Sequence, residues 1–326
     1  MLGNRLLDVI DLKAYFITPR SVVKAVDGVS FHVDENETLG IVGESGCGKT
    51  VTCLAILKLL PRPAGNIVGG SILFDGMDIV KMTDKQMQTI RGGKISMILQ
   101  DPMASLNPIF NIGNQVAEAI ITHNTVRKMN LTTMVIDILK RVKIPSPEAR
   151  IRDYPHQMSG GMKQRVVGAI SISCHPSLLI ADEPTTSLDV TLQAQYLQLL
   201  KELQSEFGMS LIFITHDFGI VASMCDRVAV MYAGKVVETA PVRDIFYRPT
   251  HPYTAALLNA VPKLEAETER LVSIQGQPPQ LDKLPRGCSF APRCSQADDG
   301  CQREEPPQVQ IGQDHYTRCW LSQGRQ

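Results

Sequence analysis

The chain of 326 residues lacks an excess of either charge, with 33 Lys and Arg facing 33 Asp and Glu. A basic footprint for nucleic acid is therefore not expected. It also lacks any uninterrupted apolar run of 18 residues, and no charged-then-apolar leader opens it. These absences lead us to expect a soluble, cytoplasmic chain that reaches a membrane only through a partner. Basic arms and coiled-coil heptads are missing too. The length sets a prior of about two domains and leaves ample room for a buried core.

What is present is organised around Gly43-Glu44-Ser45-Gly46-Cys47-Gly48-Lys49-Thr50, which reads G-x-x-x-x-G-K-[ST]. An apolar strand-like segment, Thr38 to Val42, precedes it, and a helix-compatible run, Val51 to Leu60, follows. Glycines let the backbone wrap a phosphate so that successive N–H groups point at the anion, and the helix adds its positive end. In such a loop Lys49 reaches the β- and γ-phosphates and the Thr50 hydroxyl ligates Mg²⁺.

Upstream, Leu7–Ile10 and Val22–Phe31 read as short strands around a turn at Thr18-Pro19. Phe16, beside Tyr15, could face an adenine ring or be an ordinary sheet-edge aromatic. Gly69 to Met82 is strand-rich with a turn at Asp75-Gly76, and Lys94–Leu99 reads as a buried strand ending at Gln100. Gln100 could ligate Mg²⁺ or water, or simply meet solvent. The pattern from Ile112 to about Lys143 is helical. At Met158-Ser159-Gly160-Gly161-Met162, Ser159 suits an N-cap, and the helix after it offers a second anion site.

Leu178–Ala181 is a buried strand that delivers Asp182-Glu183 at its carboxyl end, where ligands of open α/β sheets sit. Two adjacent carboxylates there call for a cation or a basic partner. Thr191–Phe207 is amphipathic, with Leu192, Tyr196, Leu199, Leu200, Leu203 and Phe207 on one face, and reads as core. Leu211–Thr215 is a further buried strand ending at His216, which is either a γ-phosphate ligand or a structural histidine.

Taken together these motifs resemble the ATPase domain of ABC transporters over roughly residues 5–250. Gly43–Thr50 resembles the Walker A loop, Gln100 the Q-loop and Met158–Met162 the family signature. Asp182-Glu183 resembles Walker B with its catalytic glutamate, Ser187-Leu188-Asp189 the D-loop and His216 the H-switch. The signature reads MSGGM where LSGGQ is usual. The stretch Gln100–Pro108, Tyr154-Pro155-His156-Gln157 and His251-Pro252-Tyr253-Thr254 resemble the dipeptide/oligopeptide/nickel importer branch.

The resemblance implies an α/β fold: a P-loop, RecA-like core with an antiparallel β subdomain and a helical subdomain at about 101–164. Residues 1–250 would form the nucleotide-binding domain and 251–326 a cysteine-bearing extension. It implies ATP and Mg²⁺, the metal held by Thr50, Gln100 and Asp182. Glu183 would be general base, His216 and Lys49 would hold the γ-phosphate, and Phe16 would stack on adenine. Two ATPase subunits, different but related chains in this branch, would trap ATP between one Walker A loop and the other's Ser159-Gly160-Gly161, with Asp189 in the D-loop. Two transmembrane permease subunits and an external binding protein would complete an importer at the cytoplasmic face of the membrane. Its cargo would be peptides, with nickel or another small solute as the alternative. A non-transport subunit of a phosphonate C–P lyase complex is the reading from another class.

The tail changes character from residue 262, being rich in proline and poor in apolar periodicity. Cys288, Cys294, Cys301 and Cys319 fall there, spaced C-x5-C-x6-C-x17-C. Paired disulfides suit a cytosolic chain poorly, and four thiolates would suit iron–sulfur or zinc. Tight zinc knuckles are absent. The resemblance to peptide-importer ATPases implies a [4Fe–4S] cluster, with Zn²⁺ and plain thiols as alternatives. The other four cysteines, 47, 53, 174 and 225, read as small hydrophobes.

Overall fold

The computed structural model describes residues 4–123, 128–261 and 273–323. In chain order the strands are β1 Arg5–Ile17, β2 Val22–Asp34, β3 Thr38–Val42, β4 Gly65–Phe74, β5 Met77–Asp78, β6 Ile95–Ile98, β7 Leu178–Asp182, β8 Ser210–Ile214, β9 Arg227–Tyr232, β10 Lys235–Pro241, β11 Val309–Gly312 and β12 His315–Thr317. The helices are α1 Lys49–Ile56, α2 Asp84–Ile90, α3 Pro102–Ser105, α4 Ile112–His123, α5 Lys128–Arg141, α6 Pro147–Arg150, α7 Gly160–Ile172, α8 Val190–Phe207, α9 Phe218–Met224, α10 Val242–Tyr247, α11 Pro252–Asn259 and α12 Asp299–Arg303. The helical expectation across 112–143 includes residues 124–127, and the tail begins at 262–272; both lie outside the described residues.

The chain divides into two compact units, each discontinuous in sequence. The first comprises 1–4, 34–37 and 81–214. Its strands β6, β7 and β8 are parallel, with Ile95 opposite Leu178 and Leu178 opposite Ser210. Every residue of β7 and β8 is buried. That is why they read as unbroken apolar runs rather than alternating ones: parallel strands are covered on both faces. On α8, Tyr196, Leu199, Leu200 and Leu203 are buried as the apolar stripe predicts. Leu192 and Phe207, at its ends, stay partly exposed, and Phe207 packs edge-on to His175.

The second unit comprises 5–33, 38–80 and 215–326. It holds an antiparallel sheet in the order β2-β1-β4-β5. The first strand is one 13-residue element, longer than the sequence suggests, because a register shift after Ile10 lets pairing with β4 resume. Asp75 and Gly76 both take positive φ, +49° and +74°, as a two-residue hairpin turn requires. In the same unit β3 runs parallel to β9, and β9, β10, β12 and β11 follow as antiparallel neighbours. Two tail strands thus extend this sheet. Tyr232, Tyr253 and Phe290 fasten the tail from within, their ring centroids 4.6–5.3 Å apart. Such aromatic pairs contribute about 0.5–1.5 kcal/mol each beyond area burial.

Candidate functional site

The loop Gly43–Gly48, the candidate phosphate loop, joins β3 to α1. Gly43 and Gly48 take φ of +153° and +106°. A Cβ at Gly43 would lie 2.2 Å from the Met231 carbonyl oxygen, and one at Gly48 2.3 Å from that of Ala25. Only glycine fits either place. Helix α1 therefore starts from a left-handed Gly48 with no side-chain cap. Ser45, Gly46 and Thr50 are exposed, whereas Lys49 is only 7% accessible. The Lys49 ammonium donates to the carbonyls of Gly43 at 2.7 Å and Glu44 at 3.1 Å, so the lysine braces its own loop. Cys47 is buried, its carbonyl accepting from Gly234 N–H at 2.9 Å. Burial pushes its thiol pKa up, although the nearby Lys49 ammonium pulls the other way.

In the same unit, Phe16 lies half-buried near the end of β1, opposite Gly65. Its neighbour Tyr15 donates to Asp27 at 2.6 Å, and burial raises its phenol pKa above the usual range. His216 is exposed. It follows Thr215, whose N–H donates to Ile41 of β3, and precedes Asp217, which caps α9 by accepting from Gly219 and Ile220 N–H.

The first unit assembles the carboxylates. Asp182, the last residue of β7, is 2% exposed. Glu183 follows with φ +45°, a left-handed conformation that costs a non-glycine residue about 1–3 kcal/mol. Its Oε2 accepts from Gln100 Nε2 at 3.0 Å and from Thr186 Oγ1 at 3.1 Å. The sequence reading named Gln100 and Glu183 but missed Thr186, three residues on, which no motif flags. Ser159 caps α7, accepting from Met162 N–H at 3.3 Å, and Asp189 caps α8, accepting from Leu192 N–H at 2.9 Å. Gly160 is exposed, with open space where a Cβ would stand. Gly161 backs onto Leu192.

Residues 26–186 match the family described as ABC transporter, and residues 237–301 the family described as oligopeptide/dipeptide transporter, C-terminal region. The oligopeptide transport ATP-binding protein OppD of Bacillus subtilis (strain 168) is 50% identical over 98% of this chain and 89% of its own length. The dipeptide transport ATP-binding protein DppD of the same organism is 48% identical over 99% and 96%. This chain is an ABC-transporter ATPase with an oligopeptide/dipeptide-transporter C-terminal region. The solved structure titled as the dimeric post-hydrolysis state of the ATP-binding cassette MJ0796 bound to ADP and Pi matches with a TM-score of 0.65 at 23% identity. It covers 73% of this chain and 99% of that one, and supports the cassette fold.

The cysteine quartet corrects an expectation. Among the described residues, no group of three or more His, Cys, Asp or Glu side chains could hold a metal ion. The descriptions of the relatives name ATP binding and peptide transport, not an iron–sulfur cluster. Cys288, Cys294, Cys301 and Cys319 are free thiols that line one small apolar cavity with Phe290 and Trp320. Burial raises all four thiol pKa values, that of Cys288 to about 11. Cys288 and Cys294 pack against the aromatic cluster as small hydrophobes, and neither the [4Fe–4S] nor the zinc reading stands.

Proposed function

We propose that this chain is the ATP-hydrolysing subunit that powers peptide import across the cytoplasmic membrane. The observation that carries the reading is the joint match to peptide-transport ATP-binding proteins over the nucleotide core and the C-terminal region alike. No helix among the described residues is long and apolar enough to cross a membrane. In this reading the chain works peripherally, with permease subunits forming the pore and an external binding protein delivering cargo. Its ATPase partner is a related chain; this chain offers its Ser159-Gly160-Gly161 end to the partner's nucleotide, and the partner's corresponding end serves the nucleotide here. The exposed, conventionally capped start of α7 supports that role.

The residues fit the groups they would hold. Gly43 and Gly48 let the loop press against the Met231 and Ala25 carbonyls in conformations only glycine adopts, so that its backbone N–H groups can wrap phosphates, and Lys49 supplies the charge. Thr50 hydroxyl, Asp182 carboxylate and Gln100 amide oxygen are the hard oxygen donors that Mg²⁺ takes. Mg²⁺, when bound, neutralises charge on the phosphoryl oxygens. Glu183 takes the proton from the attacking water, its carboxylate aimed by Gln100 and Thr186 and by a strained backbone. His216 holds the γ-phosphate, and Phe16 stacks on the adenine.

The test is uptake of labelled dipeptides and oligopeptides, with nickel in parallel, in cells carrying this chain or Glu183→Gln. Peptide uptake should collapse while the variant still binds ATP. Loss of nickel uptake alone would move the protein to the metal branch, and near-normal hydrolysis by the variant would remove Glu183 from its role.

A further inference from the structure

Glu44, the first variable position of the phosphate loop, is held on three sides. Its carbonyl accepts from Lys49, as described above. Its backbone N–H donates to the Tyr253 hydroxyl at 2.9 Å. Its carboxylate takes two parallel bonds from Arg293, Nη1 to Oε2 at 2.6 Å and Nη2 to Oε1 at 2.9 Å. Arg293 closes a single turn of 3-10 helix, Ala291–Arg293, between Cys288 and Cys294. It stands 249 positions from its partner, and no motif marks it.

The arginine is built in, not draped over the surface. Its side chain is 4% exposed. Nε donates to the Gln275 carbonyl at 3.0 Å and Nη1 to the Tyr232 hydroxyl at 3.3 Å. Its guanidinium lies 5.8 Å from the Tyr232 ring centroid and 6.0 Å from that of Phe290. The hydrogen bond to Glu44 raises the guanidinium pKa further above its already high ordinary value, so the arginine is charged. A planar fork on a carboxylate fixes orientation as well as position, which a lysine at the same place would not do.

We propose that the C-terminal extension positions the nucleotide loop through Arg293, which clamps and neutralises Glu44 while Tyr253 occupies its N–H. The inference rests on the reading of Gly43–Thr50 as the ATP-binding loop. Without the clamp, a carboxylate one residue from the cradle would be released beside the phosphates, and the carbonyl that braces Lys49 would move with it. Arg293 is thus a positioning residue that acts on nucleotide through Glu44.

The experiment measures binding of a fluorescent ATP analogue, the KM for ATP and thermal midpoints, using the full chain assembled with its transporter partners. Arg293→Ala should weaken nucleotide binding about tenfold, and Arg293→Lys, which keeps charge but loses the fork, about threefold. KM should rise more than kcat falls. The double variant Glu44→Gln with Arg293→Ala should recover most of the lost affinity, because the exposed charge is gone. Should Arg293→Ala fail to fold, Arg293→Lys, alone and with Glu44→Gln, carries the same comparison. Native affinity in Arg293→Lys, or a double variant no better than the single, would overturn the proposal. Lys49→Ala, run alongside, separates the two readings: if it too leaves binding intact, the ATP-loop assignment itself fails.

Discussion

Two helices of this chain begin where an anion is expected, and they begin differently. Helix α1 starts from a glycine at φ +106° with no side-chain cap, its loop pressed against the carbonyls of Ala25 and Met231. Helix α7 starts from Ser159 in extended conformation, capped by its own hydroxyl, with open space beside Gly160. The first end is a loop whose backing against the protein admits no Cβ at Gly43 or Gly48. The second is an ordinary capped helix offered to whatever approaches. In our reading the first belongs to this chain's nucleotide and the second to the partner's. A third start, that of α11, sets the contrast off: buried His251 caps it, Nδ1 accepting from Tyr253 N–H at 3.1 Å.

The largest effect expected from disturbing these ends is at Gly48. Gly48→Ala places a methyl on a backbone carbonyl in a conformation that L-residues avoid, and should cost roughly a hundredfold or more in nucleotide affinity. Titration with a fluorescent nucleotide analogue checks it, and native affinity would mean that the cradle is not the binding loop.

The α11 start gives the next effect, through pH. Burial lowers the His251 pKa from 6.5 to about 4, consistent with a neutral ring that accepts a hydrogen bond. Between those values the unfolded chain binds a proton that the folded chain refuses. Stability is thus fully present above about pH 6.5 and is lost as pH falls towards 4, by about 3 kcal/mol. Urea midpoints measured from pH 7 to pH 4 should fall, and less so in His251→Asn, which keeps a capping acceptor. Below that window Glu238 adds a second loss. Burial alone would raise its carboxyl, but His315 and the N–H groups of Thr250 and His251 outweigh this and hold it below the ordinary value.

The smallest structural effect is expected at Gly160. Gly160→Ala meets nothing within 4 Å in this chain and should change stability by no more than about 0.5 kcal/mol. If α7 serves the partner's nucleotide, turnover of the assembled transporter should still drop. Unchanged turnover would make α7 a plain capped helix.

These ends also show what could be read without a structure. The phosphate loop, the Ser159 cap, and the strands that deliver Asp182 and His216 were legible because each is a local affair. A backbone conformation or a buried parallel strand constrains the residues next to one another in sequence. The cysteine tail was misread for the opposite reason. Its spacing suited a metal, but whether side chains converge as ligands is decided by tertiary packing, and among the described residues no group forms that could hold a metal ion. The pairing of Tyr253 and Arg293 with Glu44 was invisible for a related reason, since ion pairs across more than two hundred residues leave no periodicity.

Local sequence set where a glycine-framed loop joins strand to helix, where carboxylates end a buried strand, and which family these motifs resemble. Glycine's freedom at φ > 0 and the apolar runs of doubly covered strands are written residue by residue. Tertiary structure alone decided that Glu183 would be held at a positive φ between Gln100 and Thr186. It also decided that the tail cysteines would pack beside the aromatic cluster, and that an arginine of the extension would close on Glu44 of the Gly43–Thr50 loop. Those outcomes depend on dielectric and on the meeting of distant side chains, which only the folded chain brings about.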